Sequence, residues 1–153
     1  MRFLVFILLF VTSNAYAQKV REIRFDEFEQ LTKINDNKTY IFNFWATWCK
    51  PCVAELPNFI KVADEYQSNI EVIFVSLDFA RDKQKVEGFV AEKRINSPVV
   101  LLNEPDYNSW INRVNPQWSG ALPATLILNQ TKREFYEQSF DYQQLVDKIR
   151  HFF

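Results

Sequence analysis

Two apolar runs rich in β-forming residues constrain the fold of this chain more than any other feature. They are Thr39 to Trp45, which reads TYIFNFW, and Ile70 to Leu77, which reads IEVIFVSL. Between them, Cys49 to Tyr66 carries apolar residues at helical spacing. Runs this apolar are typical of strands buried on both faces. Strands that alternate with helices predict an α/β architecture, in which helices cover both faces of an open sheet.

Weaker periodic segments continue this alternation. Helices are predicted where apolar residues recur every three or four positions, and extended segments where β-forming residues cluster. The predicted helices are Phe25 to Ile34, Asp82 to Ile95, Asp106 to Val114 and Tyr142 to Phe152, and the predicted extended segments are Pro98 to Leu102, Ala124 to Leu128 and Arg133 to Tyr136. The last two flank Asn129 to Lys132, which predicts an antiparallel hairpin and therefore a mixed sheet.

Composition narrows the possible functions. The chain has 18 Lys and Arg against 19 Asp and Glu and no basic run, so we expect no nucleic-acid partner. Its 153 residues, 48% of them hydrophobic, suit one domain with a sizeable core. Two cysteines and one histidine are too few for a disulfide-stapled miniprotein or for most metal sites. We expect no metal, no bound cofactor and a monomer.

The first 17 residues have the pattern of a secretory signal peptide. Arg2 precedes an apolar run from Phe3 to Val11, which is too short to span a bilayer. The small-x-small sequence Ala15-Tyr16-Ala17 then predicts cleavage after Ala17. We expect a single soluble domain over residues 18–153, outside the cytoplasm and without a lipid anchor. The alternative is a buried N-terminal strand.

The two cysteines follow the first strong strand, in the sequence Trp48-Cys49-Lys50-Pro51-Cys52. Two intervening residues in the first turn of a helix bring the sulfur atoms within bonding distance. Cys49 is expected at the helix N-terminus, where free N–H groups and the helix dipole favour a thiolate, while Cys52 points inward. The spacing predicts an attacking thiolate at Cys49 and a resolving thiol at Cys52. The alternatives are a structural disulfide without turnover and a metal site.

This segment resembles the active site of the thioredoxin-like superfamily, and specifically the exported TlpA/ResA-type thiol:disulfide oxidoreductases. The resemblance rests on Trp45 to Cys52, on Glu55 and Pro57 in the motif Cys-x-x-Cys-x-x-Glu-x-Pro, and on Gly120 to Thr125 before a strand. It implies a thioredoxin-like three-layer sandwich with a mixed central sheet, helices on both faces and a central insertion between Asp78 and Pro123.

The resemblance also implies roles for individual residues. The Leu122–Pro123 bond would be cis and face the disulfide, which leaves the Leu122 backbone free to pair with an extended substrate. Asn43 lies where cytosolic thioredoxins carry a titratable Asp. We therefore expect Glu55, one turn beyond Cys52, to handle the proton of Cys52 or to tune the redox potential. The alternative for Glu55 is an exposed carboxylate that the helix dipole favours.

Aromatic residues crowd the end of the predicted insertion. Trp48 is expected to be exposed beside Cys49 and, with some of Tyr107, Trp110 and Trp118, to line a groove for a protein substrate.

The leading hypothesis is a periplasmic thiol:disulfide oxidoreductase that reduces disulfide-containing client proteins through Cys49 and Cys52. The resemblance implies a membrane thiol transporter of the DsbD/CcdA kind as the electron donor, and the haem-binding cysteine pair of apocytochrome c as one client. Two alternatives stay open at this point. They are a disulfide oxidant or isomerase, and a binding module that keeps the thioredoxin fold without redox turnover.

Overall fold

A computed structural model describes residues 19–153, so the predicted signal peptide lies outside the described residues. Within that range, six strands and five α-helices follow one another along the chain. They are β1 (Arg21–Ile23), α1 (Phe25–Leu31), β2 (Thr39–Trp45), α2 (Lys50–Glu65), β3 (Ile70–Ser76), α3 (Lys83–Glu92), β4 (Val99–Leu102), α4 (Tyr107–Val114), β5 (Ala124–Leu128), β6 (Arg133–Tyr136) and α5 (Tyr142–Ile149). Short 3₁₀ turns precede α3 (Ala80–Asp82) and follow α5 (Arg150–Phe152).

The strands form one mixed sheet in the order β1-β4-β3-β2-β5-β6. Strands β1, β4, β3 and β2 pair in parallel. Strand β5 runs antiparallel to β2, and β6 runs antiparallel to β5. The Asn129 side chain shapes the β5–β6 turn, because its oxygen accepts hydrogen bonds from the backbone N–H groups of Thr131 and Lys132 at 2.9 and 2.8 Å. The predicted hairpin and mixed sheet are confirmed.

Alternation along the central strands builds two cores, one on each face of the sheet. In β2, Ile41 and Trp45 face one core, while Phe42 and Phe44 face the other. Buried residues of α2, α3 and α5 complete the first core, and those of α1 and α4 complete the second. The predicted three-layer sandwich is therefore confirmed.

The central insertion adds α3, β4 and α4 between β3 and β5. Strand β4 lies between β1 and β3 and pairs in parallel with both, so the insertion widens the sheet. Among residues 19–153, no helix is long and apolar enough to cross a membrane.

The structure adds one strand to the predicted elements and shortens several of the predicted helices. Strand β1 was not predicted, because it has three residues of which only Ile23 is buried, too few for a periodic signal. Helix α1 ends at Leu31, not Ile34, since Thr32 caps it and its hydroxyl donates to the Glu29 carbonyl at 2.9 Å. Helix α3 is shorter than Asp82 to Ile95, because Arg94 has a positive φ of 53° that an α-helix does not allow.

One end of the sheet gathers the segments that carry the predicted site. Trp45, the last residue of β2, is paired with Ser76, the last residue of β3. Strand β5 runs antiparallel to β2, with Ala124 opposite Phe44. The segments after β2, after β3 and before β5 therefore meet at the same edge, although 80 to 88 positions separate the paired residues of β2 and β5.

Candidate active site

Cys49 and Cys52 form a disulfide at the N-terminus of α2, with their Cα atoms 5.3 Å apart. Cys49 is the N-cap residue, and its sulfur accepts a hydrogen bond from the backbone N–H of Cys52 at 3.3 Å. Pro51 lies in the first turn, where a missing N–H costs little. Cys52 is fully buried, whereas part of Cys49 reaches the surface. The predicted placement of both sulfurs is confirmed: Cys49 is the outer one, at the helix end that favours a thiolate after reduction.

A groove of about 550 Å³ opens beside Cys49. Its walls include Trp48, which is 59% exposed, the half-exposed ring of Tyr107, and Leu122. The groove therefore brings the outer cysteine together with the predicted substrate-binding residues Trp48 and Leu122. It is large enough, and apolar enough, for an extended stretch of polypeptide.

Of the three aromatic residues from which some were expected in the groove, Tyr107 lines it, whereas Trp110 and Trp118 are buried and do not. Trp110 stacks on Phe25 with ring centroids 5.3 Å apart, and Trp118 packs on Phe44 at 4.8 Å. Trp118 still contacts the wall of the groove, because its indole N–H donates to the carbonyl of Ala121, a lining residue, at 2.9 Å. Sequence spacing could not tell the exposed Tyr107 from the buried tryptophans, since the burial of Trp110 and Trp118 depends on contacts with Phe25 and Phe44, which are distant in the sequence.

The Leu122–Pro123 peptide bond is cis, as the resemblance implies. In the part of the chain that the structure describes, the backbone N–H and C=O of Leu122 make no hydrogen bond. The preceding residues are held in place, because both the N–H and the hydroxyl of Ser119 donate to the Glu137 carboxylate. These hydrogen bonds lower the pKa of Glu137. The loop thus presents an unpaired backbone segment beside the disulfide.

Glu55 is buried, which makes the exposed alternative wrong. It lies one turn beyond Cys52 on the inner face of α2, next to buried Leu56. One carboxylate oxygen accepts from the Asn43 side-chain amide at 2.9 Å, and the other from the backbone N–H of Phe140 at 2.8 Å. Burial raises the pKa of Glu55 to about 7, although both hydrogen bonds oppose that shift. Glu55 can therefore gain or lose a proton near neutral pH.

Four further residues contribute to the site without having been predicted. Phe140 supplies a backbone donor to Glu55, and Asp78 and Ser76 form a polar cluster with Thr47 at the end of β3. The signal for the cluster was present, because polar Ser76 and Asp78 interrupt an otherwise apolar run. Among residues 19–153, no three His, Cys, Asp or Glu side chains are grouped in a way that could hold a metal ion.

Comparison with known proteins relates most of the chain to one family. The model of the AhpC/TSA family matches residues 14–133. The thioredoxin-like protein YneN of Bacillus subtilis is 35% identical over 75 residues, which are 46% of this chain and 44% of YneN. The thiol:disulfide interchange protein HelX of Rhodobacter capsulatus is 32% identical over 102 residues, which are 65% of this chain and 51% of HelX.

A solved structure shows the same fold. The thioredoxin-related protein from Neisseria meningitidis serogroup B superimposes with a TM-score of 0.66 at 19% identity, over 77% of this chain and 87% of that one. The chain spans about half the length of the curated relatives named above. Because the family match extends over most of the chain, the protein belongs to the thioredoxin-like AhpC/TSA family, as the resemblance to TlpA/ResA-type proteins predicts.

Proposed function

We propose that this protein is an exported thiol:disulfide oxidoreductase that reduces disulfides in client proteins. The observation that carries the proposal is the Cys49–Cys52 disulfide at the N-terminus of α2, with Cys49 open to a groove and Cys52 buried. A purely structural disulfide needs neither the groove nor the helix N-terminus. The name of the relative HelX, a thiol:disulfide interchange protein, supports the same activity.

The reaction begins with the reduced cysteine pair. The Cys49 thiolate attacks one sulfur of a client disulfide, and the second client sulfur leaves as a thiolate that takes up a proton. Cys52 then loses its proton and attacks the Cys49 sulfur. This step restores the Cys49–Cys52 disulfide and releases the first client sulfur as a thiol. Two electrons pass from the protein to the client.

Glu55 is the group proposed to accept the proton of Cys52. It lies one helical turn away, and its pKa of about 7 allows the carboxylate form to be populated at neutral pH. A group that titrates near the working pH is suited to accept and return a proton. Asn43 cannot do so, because an amide does not titrate in this range.

The client is proposed to bind as an extended segment along the groove. The unpaired N–H and C=O of Leu122, beside Pro123, offer it two backbone hydrogen bonds. Trp48 offers an exposed apolar face next to Cys49. Together they would hold a client disulfide near the Cys49 sulfur.

The proposed compartment is the periplasm, and the signal-peptide pattern of residues 1–17 supports it. In an oxidising compartment, a reductase must receive electrons from elsewhere. We propose a membrane thiol transporter as that donor, the haem-binding cysteine pair of apocytochrome c as one client, and a monomeric protein.

Insulin reduction tests the proposed function. Wild-type protein should accelerate the reduction of insulin by dithiothreitol, and Cys49→Ser should not. Equal, negligible rates for both would favour a binding module without redox turnover. A glutathione titration then tests the direction in which the protein exchanges disulfides. We expect a redox potential near that of thioredoxin, about −270 mV. A redox potential of about −120 mV would show an oxidant instead.

A further inference from the structure

Asp78 is a buried carboxylate that the exchange steps above do not use. It follows β3 and is only 3% exposed. Its oxygens accept three hydrogen bonds: from the Thr47 backbone N–H at 2.9 Å, from the Thr47 hydroxyl at 2.6 Å and from the Ser76 hydroxyl at 2.8 Å. None of the ion pairs among residues 19–153 includes Asp78. Burial of a carboxylate is unfavourable unless its oxygens are hydrogen-bonded, and here two hydroxyl groups and one backbone N–H donate to it.

Thr47 belongs to the loop that carries the outer cysteine. The loop runs from the end of β2 to Cys49, and the Cys49 N–H closes it by donating to the Ala46 carbonyl at 3.1 Å. Trp48 follows Thr47, and its exposed side chain gives the loop little packing. Both donors of Thr47 are used on Asp78. Asp78 therefore ties the middle of this loop to the neighbouring strand.

Asp78 is itself hydrogen-bonded to the end of the sheet. The backbone N–H of Leu77 donates to the Trp45 carbonyl at 2.8 Å, which continues the β2–β3 pairing beyond the last paired residues. The N–H of Asp78 donates to the Ser76 hydroxyl at 3.1 Å, while that hydroxyl donates back to the carboxylate. These hydrogen bonds hold the Asp78 carboxylate at the end of β3, where it also accepts the two hydrogen bonds from Thr47.

We propose that Asp78 is a positioning residue for thiol–disulfide exchange: through Thr47 it fixes Cys49 in the orientation that serves both Cys52 and the client disulfide. The proposal rests on the proposed function. If the loop loosens, the Cys49 sulfur spends less time within reach of Cys52, so the disulfide becomes easier to reduce. The same loss of orientation slows attack on a client.

The first measurement uses no client protein. The equilibrium constant of the Cys49–Cys52 pair against glutathione is determined for wild-type protein, Asp78→Ala, Asp78→Asn, Thr47→Val and Thr47→Ser. We expect Asp78→Ala to weaken the disulfide about ten-fold, which corresponds to about 30 mV for two electrons. Thr47→Val should weaken it less, because the backbone donor stays. Thr47→Ser keeps both donors and should match the wild type.

The Asn variant separates position from charge. It removes the negative charge but keeps an oxygen that can accept from Thr47, so its effect should be smaller than that of Asp78→Ala. The positioning role is overturned if Asp78→Asn and Asp78→Ala change the equilibrium constant against glutathione equally while Thr47→Val leaves it as in the wild type. That result would show an effect of charge alone. Thr47→Val also decides the question if Asp78→Ala fails to fold.

The second measurement is kcat/KM for insulin reduction. Asp78→Ala should lose about ten-fold or more, while Asp64→Ala, which changes an exposed aspartate of α2 outside the groove, should match the wild type. If wild-type protein does not reduce insulin, the proposed function fails, and the glutathione constants still decide the role of Asp78. If wild-type protein reduces insulin but Asp78→Ala and Thr47→Val have wild-type glutathione constants and rates, only the positioning role is overturned.

Discussion

The side-chain amide of Asn43 donates a hydrogen bond to the Glu55 carboxylate at 2.9 Å, and both side chains are buried. Asn43 lies in the central strand β2, and Glu55 lies one turn beyond the inner cysteine. Because the amide does not titrate, any proton held by this pair is held by Glu55. Glu55 is therefore the titratable member of this buried pair.

Glu55 should make the protein less stable as the pH rises. Its pKa is about 7 in the folded protein, against 4.5 for the exposed group, so the folded protein binds the proton more tightly. The contribution of Glu55 to the free energy of unfolding should therefore be greatest below about pH 4.5 and fall by up to about 3 kcal/mol between about pH 4.5 and about pH 7. Urea unfolding across this range measures it.

Two variants control this pH prediction. Glu55→Gln should remove the Glu55 contribution and flatten the curve, whereas Glu92→Gln, at an exposed glutamate of α3, should leave it as in the wild type. Curves for wild type and Glu55→Gln that fall in parallel would contradict the assignment of this titration to Glu55.

The two glycines of the chain should respond to alanine in opposite directions. Gly120 has a φ of +91°, and an added Cβ would lie 3.1 Å from the Ile111 side chain, so Gly120→Ala should cost about 1–2 kcal/mol. Gly88 lies inside α3, and apart from its chain neighbours and the adjacent helix backbone no described atom lies within 4 Å of an added Cβ. Gly88→Ala should therefore stabilise the protein by about 0.5–1 kcal/mol. Urea unfolding of both variants is the measurement, and a shared sign would be incompatible with this structure.

Trp48→Ala should reduce client turnover without weakening the fold. The side chain is 59% exposed and borders the groove, so its loss removes client contacts and little of the core. We expect kcat/KM for insulin to fall about five-fold or more, as the loss of an exposed aromatic contact does at binding surfaces. The matched control is Phe153→Ala, which removes an aromatic side chain of similar exposure, 60%, that stacks on Tyr66. Equal kinetic effects of the two substitutions would exclude a docking role for Trp48.

Local signals were sufficient for the central elements. The bounds of β2, β5 and β6 match the predicted segments, because β2 and β5 are runs of β-forming, largely apolar residues and β6 follows the turn residues Asn129 to Lys132. The position of Cys49 at a helix N-terminus also followed from local sequence, since Pro51 and the apolar spacing after it mark a helix start. These features depend on residues that are close along the chain.

Contacts between distant residues could not be predicted from one sequence. The burial of Glu55 depends on Phe140, which lies 85 positions away, and the order of the loop before Cys49 depends on Asp78, 31 positions from Thr47. The burial of Trp110 depends on how α4 packs against α1. No periodicity encodes such pairings, so the sequence indicated candidate residues but not their partners.

Trapping of a mixed disulfide tests the central claim most directly, because it shows which sulfur attacks. Insulin, or a mixture of exported proteins, is incubated with reduced Cys52→Ser and, separately, with reduced Cys49→Ser. Adducts are then resolved on non-reducing gels. We predict adducts that dithiothreitol cleaves for Cys52→Ser, whose outer cysteine is intact, and none for Cys49→Ser, whose remaining sulfur is buried. Adducts formed mainly by Cys49→Ser, or none with folded Cys52→Ser, would contradict Cys49 as the attacking thiolate.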